Sequence, residues 1–93
     1  MMIINQGKTI RAVIDRFGHK HQSVIAIEEM AELTKELTKA IRGKPNHDHL
    51  VEETADVIIC LIQVREMYNI KDEELQDAIN SKLARLDERL KNE

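Results

Sequence analysis

Ile10, Val13, Ile14 and Phe17 recur at three- and four-residue spacing, the interval that lines one face of an α-helix. Gly18 follows as a C-terminal stop, so the pattern predicts a first helix over about Thr9–Phe17. A second periodic segment runs from about Gln22 to Arg42 and is closed by Gly43 and Pro45. A third covers about His49–Tyr68, with Asp48 placed as its N-cap. A fourth covers about Asp72–Lys91 and carries the stripe Leu75, Ile79, Leu83, Leu86 and Leu90, with Asp72 as its cap. The run "VIICLI" is the one stretch that passes for a strand. Helical periodicity continues on both sides of it, so the expected fold is all-α: a four-helix protomer with two long antiparallel central helices and two shorter flanking ones. The third helix is apolar over most of its circumference, which predicts burial nearly all round.

Composition narrows the picture. Ninety-three residues make one domain, 1–93, that is 42% hydrophobic and 33% charged. Phe17 and Tyr68 are its only aromatics, so the core must be aliphatic. Met30 and Met67 are expected within it. A short chain of long helices buries little surface by itself, which favours an oligomer. The net charge of −3 is spread over interspersed signs, unlike the clustered basic face of a nucleic-acid binder. Cys60 is the single cysteine, so no internal disulfide or cysteine-rich zinc site forms. The start "MMIINQGKTI" lacks a secretory pattern. The longest apolar run is far short of the roughly twenty residues of a membrane span. A cytoplasmic location is the default expectation.

The acids carry the chemistry. With Glu28 at zero and about 100° per residue, Glu32 falls near 40°, Glu36 near 80° and Glu29 near 100°. Leu33, Ala26, Leu37, Met30 and Ile41 follow directly. One acidic band therefore abuts the apolar stripe of the second helix, with Lys35, Lys39 and Arg42 on the solvent side. With Glu53 at zero, Asp56 lies near 300° among Cys60, Val57, Leu61 and Val64, so both acids are expected inside. Glu52, near 260°, is less clearly part of the group. An ionised carboxylate in apolar surroundings costs several kcal/mol unless paired, and the inward face of the third helix offers no Lys or Arg. A divalent cation resolves the conflict, and an all-oxygen donor set suits Mg²⁺, Mn²⁺ or Ca²⁺. Spacing alone leaves two readings open, solvated acidic faces or a four-carboxylate cage.

Glu28-Glu29-x-x-Glu32, followed by Glu53-x-x-Asp56, resembles the EExxE…ExxD signature of the MazG-like, all-α nucleoside triphosphate pyrophosphohydrolases. "IEEMAELTKEL" and "EETADVIICL" are similar to the family's motif helices, and "SKLARLDERL" resembles its closing segment. The likeness spans about Phe17–Leu90. It implies a helical protomer that completes a bundle as a homodimer or homotetramer. It also implies Mg²⁺-dependent hydrolysis of (deoxy)nucleoside triphosphates to the monophosphate and pyrophosphate, with Mn²⁺ as a possible substitute and metal-activated water attacking the α-phosphorus. By motif position, Glu29, Glu32, Glu53 and Asp56 are the implied metal ligands. Glu28 is the implied catalytic, water-orienting acid. Lys82 and Arg85 are implied phosphate contacts. No role carries onto Glu36.

The remaining candidates are weaker. His19, His21, His47 and His49 fall at the helix junctions and read as solvated polar residues. Cys60 reads as inert packing. Phe17, Gln22 and Tyr68 could border a base pocket, though packing is the plainer reading for both aromatics. No Walker A loop is present. A di-iron bundle would need Glu-x-x-His in two helices, which this chain lacks. The non-enzymatic alternative is a helical oligomerisation or regulatory module that retains an acidic metal site.

Overall fold

The computed structural model describes residues 7–92, which form four α-helices and no strand. The reading of the first residues as free of a secretory pattern falls mostly outside them. Helix α1 spans Gly7–Phe17, α2 His19–Ile41, α3 His47–Met67 and α4 Asp72–Asn92.

Helix boundaries follow from their caps. Gly18 closes α1 by donating its N–H to the Ile14 carbonyl at 2.8 Å. Its φ of 90° lies where a Cβ is strained. The Gly18 carbonyl then accepts from Gln22, so α2 starts at once, three residues earlier than its periodicity suggests. His19 and His21 are therefore helical rather than in a loop, and so are His47 and His49. Helix α2 ends in a Schellman motif: Gly43 (φ 82°) donates to Ala40 and Lys44 to Lys39. The N-cap of α3 is Asn46, whose side chain accepts from the His49 N–H at 3.1 Å. Asp48, the expected cap, lies inside the first turn, where its charge favours the helix dipole. Asp72 is likewise one position inside α4. Lys71 takes the capping place, its carbonyl accepting from Leu75 while its N–H donates to Glu74 Oε2 at 2.9 Å.

Helices α2 and α3 pack antiparallel, Gln22 meeting Gln63 at one end and Glu36 meeting His49 at the other, and α1 packs against both. The core is small: Ile10, Ile14 and Met67 form its centre, with Ile62 and Val64 against it. Ala26 and Cys60 are buried farther along the α2–α3 seam. Helix α4 packs on none of the other helices among the described residues. It buries no residue completely. The Cα radius of gyration is accordingly 15.9 Å, against about 12 Å for a compact chain of this length.

Several burial expectations are overturned. Helix α3 is not covered all round: Val51 and Leu61 are 55% and 50% exposed. Met30 and Phe17 are exposed rather than packed. Tyr68 is exposed too, with its hydroxyl hydrogen-bonded to the Ser23 hydroxyl at 2.6 Å. Lys39 is half-buried instead of facing solvent. The open positions of α3 have a simple cause: a single chain offers too few helical faces to cover α3 on every side.

Candidate metal centre

Where α2 and α3 run side by side, Glu29, Glu53 and Asp56 converge. Each offers one carboxylate oxygen, and these oxygens lie within 4.8 Å of one another. The helical repeat produces the arrangement: Glu53 and Asp56 sit one turn apart on α3, and Glu29 projects across the seam from α2. Glu29 and Glu53 are half-buried, whereas Asp56, expected inside, is exposed. Glu53 Oε2 is itself buried and finds no hydrogen-bond partner among the described residues.

Crowding of like charge marks the three acids. Partial burial pushes the Glu29 carboxyl above its ordinary value; a hydrogen bond with Asp56 and the charges of Asp56, Glu53 and Glu32 push it further. Burial also raises Glu53, followed by the charges of Asp56, Glu32, Glu36 and Glu52. Cys60, one turn beyond Asp56, is buried, and its thiol is raised by that burial and by Glu29 and Asp56. Such a thiol is a poor nucleophile, in keeping with a packing role.

The other motif acids stand outside this convergence. Glu32 is exposed and is not one of the three acids that meet, though its charge is felt by both Glu29 and Glu53. Glu28 is exposed. Lys82 and Arg85 are exposed on the unpacked α4.

Glu36 is the residue that motif reasoning passed over. It is only 5% exposed. Its Oε2 lies 3.5 Å from Lys39 Nζ, and its Oε1 lies 3.8 Å from His49 Nδ1. Its angle near 80°, beside Glu29 near 100°, was a signal that both face the same neighbour. At the other end of the seam Gln22 and Gln63 are buried together, and the His21 ring caps the pair at 2.8 Å from Gln22 Oε1. Gln22 is thus engaged in the seam and does not border an open pocket.

Comparison of the chain with protein-family models, with curated proteins and with solved structures gives no match.

The donor set suits a hard divalent cation. All three groups are carboxylates, and two have their carboxyls pushed above the ordinary value by burial and by neighbouring negative charge. One buried oxygen, Glu53 Oε2, is without a partner. A cation would relieve each of these penalties at once.

Proposed function

We propose that this chain is a nucleoside triphosphate pyrophosphohydrolase, releasing nucleoside monophosphate and pyrophosphate from (deoxy)nucleoside triphosphates in the presence of Mg²⁺ or Mn²⁺. The observation that carries this reading is the meeting of Glu29, Glu53 and Asp56 across two helices, with Glu53 Oε2 buried and unpaired. The motif likeness to the MazG-like family supplies the reaction and the expectation of a bundle completed by further copies.

In this reading Glu29, Glu53 and Asp56 hold the divalent cation, and Glu32 joins them from the next turn of α2. The bound cation would supply charge neutralisation at the phosphates and acidify water. Glu28, exposed beside Glu29, orients the attacking water and takes its proton. Helices fix the carboxylates, so little reorganisation accompanies substrate arrival. Lys82 and Arg85 stand apart from this assignment within one chain, because α4 packs on no other helix.

The test is pyrophosphate release from a panel of NTPs and dNTPs with Mg²⁺. Turnover of any of them supports the reading; none, from folded and metal-replete protein, overturns it. The exposed apolar faces of α3 and α4 favour a second reading, a non-catalytic oligomerisation module that keeps an acidic metal site. The same assay separates the two, since the module would bind Mg²⁺ without turnover.

A further inference from the structure

Glu36 keeps one oxygen that no donor in the described chain satisfies. The residue is 5% exposed. Its Oε2 accepts from Lys39 Nζ at 3.5 Å. Its Oε1 is buried and has no hydrogen-bond partner among the described residues. His49 Nδ1 faces that oxygen at 3.8 Å, beyond hydrogen-bond reach. A carboxylate oxygen so buried costs free energy until something meets it.

The size of the gap is informative. An ion of the zinc class holds an imidazole nitrogen at about 2.0–2.1 Å and a carboxylate oxygen at about 2.0–2.2 Å. Two such donors on one ion therefore stand roughly 3–4 Å apart, and the Nδ1–Oε1 separation falls in that range. We propose that Glu36 Oε1 and His49 Nδ1 hold a transition-metal ion of this class, clipping the C-terminal part of α2 to the first turn of α3. Water completes the shell on the open side, where the His49 side chain is 54% exposed. This site shares no ligand with Glu29, Glu53 and Asp56, and it takes a different class of ion.

The donor chemistry sets the class. A nitrogen beside an oxygen suits Zn²⁺ or Ni²⁺, whereas Mg²⁺ prefers oxygen alone. Lys39 sharpens the choice: next to an ammonium, an ion held by charge alone gains little, and one that also bonds imidazole gains more. Both donors are already placed by the backbone. Glu36 lies within α2, and the Asn46 side chain accepts from the His49 N–H, fixing the turn that carries the ring. His47 is a poor substitute, because two residues put it about 160° round the helix. There it lines an apolar groove with Leu50 and Val51.

Zn²⁺ titration of the full chain tests this, by calorimetry and by NMR of the histidine rings, in excess Mg²⁺ and with circular dichroism to confirm that each variant is folded. The His49 ring signals should move first, ahead of those of His19, His21 and His47. Glu36→Gln and His49→Ala should each weaken Zn²⁺ binding by at least about tenfold, the loss that even outer-shell changes bring. His49→Ala alters an exposed side chain, so it reports on the site even if Glu36→Gln unfolds the chain. His47→Ala and Asp56→Asn should leave the affinity unchanged. Zn²⁺ should also raise the melting temperature of the parent and not that of His49→Ala. Binding indifferent to Glu36→Gln in folded protein, or His49 signals that stay still or move only with the other rings, overturns the proposal. Binding lost with His47→Ala also overturns it, in favour of chelation at the start of α3. Pyrophosphate release is measured separately, and its absence leaves these outcomes as they stand, because the two sites share no ligand.

Discussion

Gln22 Nε2 donates to Gln63 Oε1 at 2.8 Å, joining α2 to α3 across 41 residues of sequence. Both side chains are about 95% buried. A buried amide is tolerated only when its polar atoms are matched, so this pair sets the register that brings Glu29 opposite Asp56. Gln63→Leu should leave the Gln22 amide N–H without its acceptor. It is expected to cost about 1–3 kcal/mol, read as a lower urea midpoint. The paired change Gln22→Leu/Gln63→Leu should cost less than Gln63→Leu alone, because no orphan then remains.

The acid cluster gathers like charge where α2 meets α3, and the proposed function gives that crowding a use. Glu53→Gln and Asp56→Asn each remove one of three converging carboxylates, and with it like-charge repulsion. Both are expected to abolish Mg²⁺-dependent turnover while leaving the melting temperature unchanged or raised. Turnover at the parent's rate in either variant would show that these carboxylates hold no catalytic cation.

The raised carboxyls of Glu29 and Glu53 also set a pH dependence. A group with a folded pKa above its unfolded value of 4.5 binds protons more tightly in the folded state. Its stabilising contribution is fully present below that ordinary value and is lost as pH rises through the raised one. Metal-free protein should therefore lose stability relative to Glu53→Gln as pH climbs from about 4.5 toward neutrality. Saturating Mg²⁺ should reverse the loss at neutral pH. Thermal melts of both proteins over this range, with and without EDTA, check it; parallel curves would contradict the proposed crowding.

Gly43 carries the turn that delivers α3 to α2. Its φ of 82° is hard for any residue bearing a Cβ, although nothing lies within 4 Å of where that Cβ would sit. Gly43→Ala should cost about 1 kcal/mol through backbone strain alone. Gly43→Asn should cost less, because asparagine tolerates this region. Equal stability of all three forms in urea would mean that the turn relaxes.

Much of the architecture was readable from periodicity. Four helices appear where apolar residues recur at helical spacing, with ends within about three residues of expectation. The misplaced boundaries have local causes: Asn46 outcompetes Asp48 as a cap because its side chain reaches His49, and Gly18 serves two helices at once. The candidate site was partly legible. Angular positions correctly grouped Glu53 with Asp56 and put Glu29 on the α2 face that meets them. They did not separate Glu29, which enters the convergence, from Glu32, which stays exposed one turn away, or reveal that Glu36 is the most buried acid.

The reason is geometric. A sequence determines which residues share a face of a helix, because 3.6 residues per turn is a property of the backbone. It therefore determined four amphipathic helices, their caps in outline and an acidic band beside an apolar one. It does not determine how far around that face a neighbouring helix reaches, since this depends on crossing angle and register. Those are decided by packing: the Ile10–Ile14–Met67 core, the buried Gln22–Gln63 pair and the Gly43 turn. Only that tertiary arrangement decided that Glu29, Glu53 and Asp56 meet, that Glu36 pairs with Lys39 and His49, and that the outer face of α3 and the stripe of α4 remain uncovered.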